Sequence, residues 1–229
     1  MTDITEKRTI IRLFRVHKRY GAKQALADVT LDIAKNEYLF ISGPSGAGKS
    51  TLLKLLYLAE PVSEGQILVD GMNLSRIHRR RIPVLRRKFG IIFQDYKLIA
   101  TRTVYENVAL VLEAQGKKRS YIEKKVKSVL RVVDMEDRQA AYPLSLSGGE
   151  QQRIAVARAI AGDPKIILAD EPTGSLDDDS AAVILELLDV FHRRGATVVV
   201  ATHDKSLISG ATGRVLQIRQ GRMEPTTDI

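Results

Sequence analysis

Cysteine is absent from the chain, which excludes a disulfide framework, a thiolate metal site and a cysteine nucleophile, and fits a reducing cytoplasm. No apolar run approaches the roughly 18 residues of a membrane-spanning helix. The first residues, MTDITEKRT, are polar and lack the apolar stretch of a signal peptide. The sequence is therefore expected to be soluble in itself, with any membrane role supplied by a partner. It also lacks an internal repeat, a low-complexity linker, zinc-ligand spacing and the interleaved aromatics of a nucleic-acid binder.

What is present is a chain of 229 residues, 44% hydrophobic, long enough for a sizeable core. Lys and Arg number 36 against 27 Asp and Glu, a net charge of +9. The densest basic cluster is RIHRRRIPVLRRK, residues 76–88. Such a cluster binds nucleic acid, lies against an anionic membrane face, or is a solvated surface. Without supporting aromatics no nucleic-acid partner is expected, and a membrane-facing surface and a plain solvated one both stay open.

Residues 10–16, 28–33, 38–42 and 65–71 read as strands, with Val29, Leu31 and Ile33 alternating against polar neighbours. KIILAD (165–170) and TVVVAT (197–202) are nearly all apolar, as in parallel strands covered on both faces. RVLQI (214–218) follows, and helical patterns occupy 49–59, 121–135 and 180–195. The alternation predicts an α/β fold with a parallel-sheet core. A flexible tail is expected over 1–9, a core over about 10–93 and 159–223, an inserted helical subdomain over about 94–158, and a second tail over 224–229.

Gly43-Pro44-Ser45-Gly46-Ala47-Gly48-Lys49-Ser50 fits the phosphate-binding pattern G-x-x-x-x-G-K-[ST], preceded by a strand and followed by a helix. Its glycines let backbone wrap a phosphate; Lys49 supplies positive charge and Ser50 a hydroxyl for Mg2+. Asp170 ends a buried strand, where it suits the metal shell. Glu171 follows at the carboxyl end of the strand, where open α/β sheets bind ligands, and suits the base that polarises an attacking water. An NTPase is expected.

A second glycine pair occurs in SLSGGEQQR, residues 145–153. Ser147 and Glu150 satisfy the S-x-x-E capping box. A capping box does not require two glycines, whereas close approach of backbone to a ligand does. LSGGE, together with Gln94, SLDD (175–178) and His203, resembles the ATP-binding cassette (ABC) family over about residues 10–222. The resemblance implies a P-loop NTPase fold with a RecA-like parallel-sheet core, a small antiparallel subdomain and a helical subdomain. It implies ATP and Mg2+ as ligands, with residues 43–51, including Thr51, on the phosphates. Tyr20 would stack on adenine; Gln94 would reach the metal and the lytic water; His203 would contact the γ-phosphate. Ser147, Gly148 and Gly149 would close over ATP held by a second copy, with Asp177 communicating across that homodimer. His17, His78 and His192 read as structural.

Residues 83–113, with FQD and then RTVYENVAL, resemble the bacterial cell-division branch of this family. That implies an integral membrane subunit docked near Gln94 and Tyr96–Thr103, an indirect link to cell-wall hydrolases, and a place on the inner face of the cell membrane. The blocks LSGGEQQRIAVARA and ADEPTGSLD are shared with exporter and lipoprotein-release ATPases, so an exporter subunit is the alternative. A nucleotide-dependent scaffold is a third.

Overall fold

The computed structural model describes residues 8–204, 207–208 and 213–224. In chain order the strands are β1 (Thr9–Tyr20), β2 (Lys23–Ala34), β3 (Tyr38–Ser42), β4 (Glu64–Val69), β5 (Met72–Asn73), β6 (Phe89–Ile92), β7 (Ile166–Asp170), β8 (Thr197–Thr202), β9 (Arg214–Arg219) and β10 (Arg222–Glu224). The helices are α1 (Lys49–Leu56), α2 (Ile82–Arg86), α3 (Val104–Ala114), α4 (Arg119–Val132), α5 (Gly148–Ile160) and α6 (Asp178–Arg193). The chain divides into two units, up to Arg86 plus Gly195 onward, and Arg87–Arg194.

In the first unit, β1 and β2 form a long hairpin closed at Tyr20 and Lys23. β4 and β5 complete an antiparallel sheet in the order β2-β1-β4-β5. The period-2 pattern of β2 works as it should: Val29, Leu31 and Ile33 are buried while their neighbours face water. β3 runs parallel to both β8 and β9, with Phe40 paired to Val200 and Val215. β10 returns antiparallel on β9. Every residue of β8 is buried, since α1 packs against it and β3 lies beside it. This explains why its sequence shows no alternation.

In the second unit, β6 and β7 are parallel, with Phe89 opposite Ile166. α5 is the central helix, packed on β6, α3, α4 and α6. Its Ile154, Ala155, Val156 and Ala157 are fully buried, alongside Val108 and Leu112 of α3 and Val126 and Leu130 of α4. Each of the Ile, Val and Leu side chains among these contributes about 1.5–3 kcal/mol of burial, and each alanine less. The expected helices between 94 and 158 are present as α3, α4 and α5, and this unit also takes in β6, β7 and α6. Of the expected tails, residues 1–7 and 225–229 lie outside the described residues, whereas Thr9 and Glu224 belong to strands. Among the described residues no helix is long and apolar enough to cross a membrane.

Candidate functional site

The loop from Gly43 to Gly48 leaves the end of β3 and enters α1. Gly48 is the N-cap of α1 at φ 112°, with no side chain capping the helix and no acidic residue in its first turn. A Cβ there would lie 2.7 Å from the Ala25 carbonyl oxygen, so both conformation and space demand glycine. This start of α1, at the positive end of the helix dipole, suits an anionic ligand. Lys49 is buried and its Nζ donates to the carbonyl oxygens of Gly43 (2.7 Å) and Pro44 (3.3 Å), so the ammonium lies across the loop. Pro44, Ser45, Gly46 and Ser50 are exposed, and Ala47 is buried.

Tyr20 ends β1, and its hydroxyl is hydrogen-bonded with Glu60 and with Thr51 on α1. Lys18 Nζ sits 4.8 Å from the centre of the Tyr20 ring, 2.9 Å from Glu60 and 2.9 Å from the Pro61 carbonyl oxygen. Burial, with the Glu60 hydrogen bond, raises the Tyr20 hydroxyl above its ordinary pKa. The same bond, then Lys18, holds the Glu60 carboxyl below its own. His203, just past β8, lines a cleft of about 790 Å³ with Ser42, Gly43, Pro44, Arg219 and Arg222. It is exposed, beside the start of the phosphate loop.

In the second unit, Asp170 ends β7 and Glu171 follows, only 8% exposed and at φ 46°. A left-handed backbone at a non-glycine residue costs free energy and persists where the surroundings impose it. The turn is held by Gly174 N–H donating to the Glu171 carbonyl oxygen. A Cβ on Gly174 would stand 3.6 Å from Glu171 Cβ and 3.7 Å from Gln94 Nε2, which places Gln94 beside the same turn. Gln152, fully buried on α5, donates from Nε2 to the Pro172 carbonyl oxygen at 2.5 Å.

Ser147 caps α5: its Oγ accepts from Glu150 N–H (3.2 Å), while its own N–H donates to Glu150 Oε2 (2.8 Å). These bonds hold the Glu150 carboxyl below its ordinary pKa. The capping box expected from the sequence is thus formed. Both following glycines have neighbours in the chain itself. A Cβ on Gly148 would lie 3.0 Å from the Tyr96 hydroxyl, and one on Gly149 would lie 2.6 Å from Ser180 Oγ. Close packing of α5 on α6 is therefore a second reason for Gly149, alongside ligand approach. Asp177 caps α6, accepting from Ser180 N–H and Oγ, both at 2.9 Å, and these bonds lower its pKa.

The segment after Gln94 is tied down from two sides. Arg158 of α5 donates to the carbonyl oxygens of Lys97 and Tyr96, and burial lowers its pKa. Asn107, fully buried on α3, donates from Nδ2 to the carbonyl oxygens of Ile99, Arg102 and Thr103 and accepts from Ile99 N–H at 2.8 Å. Sequence reasoning missed Gln152, Ser180, Arg158 and Asn107. The available signal was a polar residue on an otherwise apolar helix face, which marks Asn107 and Gln152 but gives no partner.

A family model described as ABC transporter matches residues 26–174. The cell division ATP-binding protein FtsE of Escherichia coli K12 is 45% identical over 215 residues, covering 93% of this chain and 97% of that protein. The FtsE of Streptococcus pneumoniae D39 is 42% identical over 216 residues, 94% of each chain. A dimeric post-hydrolysis state of the ATP-binding cassette MJ0796, bound to ADP and Pi, is similar with a TM-score of 0.86 at 34% identity, covering 94% of this chain and 97% of that one. The chain therefore belongs to the ABC family of ATP-hydrolysing cassettes and is similar, within it, to the FtsE proteins of cell division.

Proposed function

We propose that the chain is the ATP-hydrolysing subunit of a cell-division membrane complex, docked on an integral membrane subunit of the FtsX type at the inner face of the membrane. ATP closes a homodimer, hydrolysis reopens it, and the motion is relayed to cell-wall hydrolases outside. The observation that carries this reading is the contrast between two helix starts. α1 opens at Gly48 with no side-chain cap and Lys49 beside it. α5 opens on Ser147 already satisfied by Glu150. The first suits the phosphates of a bound ATP. The second has its N3 donor filled, yet Ser147 accepts that bond and keeps its O–H for donation to the γ-phosphate of a second copy's ATP.

Tyr20, gripped on one ring face by Lys18, offers the other to adenine. Residues 43–51 hold the phosphates. Ser50, Gln94 and Asp170 carry hydroxyl, amide and carboxylate oxygens, the hard donors that suit Mg2+. Mg2+ held by these donors would supply positive charge against the phosphates of ATP. Glu171, buried and fixed by the strained turn, takes a proton from water as its oxygen attacks the γ-phosphorus and ADP leaves. Gln94 orients that water, His203 steadies the γ-phosphate, and Asp177 reports closure to the other copy. Positioning and charge stabilisation supply most of the rate.

The test is Glu171→Gln, assayed for ATP binding, turnover and support of septation. Binding is expected to persist while turnover falls by about 10²–10⁴-fold and division fails. Full division with turnover lost would refute the motor reading and leave the scaffold.

A further inference from the structure

Between Asp70 and Asp95 the chain carries no acidic residue, while Arg76, Arg79, Arg80, Arg81, Arg86, Arg87 and Lys88 fall in that stretch. In the first unit these arginines divide by what they do. Arg86 is committed to structure, donating to the carbonyl oxygens of Tyr57 and Leu58 at 3.2 and 2.8 Å. Arg76, Arg79, Arg80 and Arg81 are all exposed, and their side chains make no hydrogen bond or ion pair to any described residue. Two short turns, at Leu74–Arg76 and Arg79–Arg81, display them on backbone pinned by Asn73 and His78 side chains rather than by the arginines.

Beside them, Pro83 is exposed and Val84 is 45% exposed, whereas Leu85 anchors α2 in the core. Asp70 is the acidic residue of the cleft that Arg76 and Arg81 line. Among the described residues these four guanidinium groups make no ion pair, so around this apolar surface their mutual repulsion is offset only in part, by the nearby Asp70.

We propose that this arginine patch is a direct binding surface for anionic phospholipid headgroups, with Pro83 and Val84 entering the headgroup layer. Guanidinium groups form paired hydrogen bonds with phosphate, and an anionic leaflet attracts basic residues within a Debye length. The apolar pair favours a bilayer over nucleic acid, because it gains by leaving water, and no aromatic side chain lies among residues 71–88 for base stacking. The chain would then hold the membrane by its own surface as well as through its membrane subunit. This contact is independent of ATP hydrolysis and of which membrane subunit is used.

The experiment is co-sedimentation of the purified full chain with protein-free vesicles, either half phosphatidylglycerol and half phosphatidylcholine or all phosphatidylcholine, across a salt series. Binding is expected only to the anionic vesicles and is expected to weaken with salt. Each arginine replaced should lower partitioning roughly fivefold. The combined Arg76→Gln, Arg79→Gln, Arg80→Gln and Arg81→Gln variant should therefore lose it by about several hundred-fold. Val84→Ser should lose part of it, and ATP hydrolysis should be unchanged in both variants, which shows that they fold. Equal binding of wild type and quadruple variant, equal binding to neutral vesicles, no binding to either, or tighter binding to duplex DNA than to anionic vesicles would each overturn the proposal.

Discussion

Ser180 lies against Gly149: a Cβ built on the glycine would stand 2.6 Å from Ser180 Oγ, the hydroxyl that donates at 2.9 Å to Asp177. Gly149, beside the α5 cap, is thus constrained by α6 of its own chain as well as by any ligand. Gly149→Ala is expected to cost about 1–3 kcal/mol through overpacking and to abolish turnover. Adding Ser180→Gly makes room for the new methyl group. Thermal unfolding should then recover while ATP hydrolysis stays lost. Recovery of both would show that the glycine serves packing alone.

Cap and ligand roles of Ser147 separate in the same way. Ser147→Ala removes the acceptor for Glu150 N–H and is expected to lower stability by about 0.5–2 kcal/mol. Ser147→Asp restores a capping acceptor but aims a carboxylate where a γ-phosphate is to bind. Unfolding and ATPase assays should find the Asp variant stable and inactive, with ATP affinity at residues 43–51 retained.

Tyr20 is held by the distant Glu60 together with Lys18 of its own strand. Glu60→Gln loosens the Lys18 pair beneath the ring, and losing a cation–π contact of about 0.5–1 kcal/mol should weaken ATP affinity severalfold. Titration with a fluorescent ATP analogue measures this. Turnover at saturating ATP should be nearly unchanged.

Asn107 satisfies four backbone groups of residues 99–103 from within the helical unit. Asn107→Ala strips the side-chain partner from Ile99 N–H and the Arg102 carbonyl, at about 1–3 kcal/mol for each group that water cannot reach, while the Ile99 and Thr103 carbonyls keep the N–H groups of Arg102 and Asn107. Limited proteolysis should cut first between 95 and 103. Capture of the membrane subunit should fall before ATPase activity of the isolated chain does.

The carboxyls of Glu60, Glu106, Glu136, Glu150 and Asp177 are all held below their ordinary values, chiefly by hydrogen bonds. A carboxyl with a lower pKa folded than unfolded binds more protons in the unfolded chain over that window. Its stabilisation is complete above the ordinary carboxylate range and is lost as pH falls through the folded pKa. Urea unfolding should show a plateau near neutrality and a decline below about pH 5. Glu150→Gln should flatten that decline.

The sequence made legible whatever depends on local pattern. β2 showed its alternation, β8 its unbroken apolar run, residues 43–50 their loop, and Ser147 with Glu150 their cap. Contacts that join distant segments were not legible. Nothing local announces that Ser180 crowds Gly149, that Arg158 holds Tyr96 and Lys97, or that Gln152 reaches Pro172. β6 escaped notice because it has four residues and its Gly90 breaks the pattern; that glycine is required because a Cβ would stand 2.5 Å from the Ala159 carbonyl oxygen of α5. The strain at Glu171 was equally hidden, since its φ of 46° is imposed by the turn from Glu171 to Gly174 and not by residue type.

On the proposed function, ATP is hydrolysed in a site completed by a second copy. The most direct test of this is the solution mass of Glu171→Gln with Mg-ATP, by size exclusion with light scattering. Twice the 25.5 kDa of one chain is expected with ATP, and a single chain when Ser147→Asp is added. A monomer under both conditions, from a chain whose wild type still hydrolyses ATP at the same concentration, would contradict it.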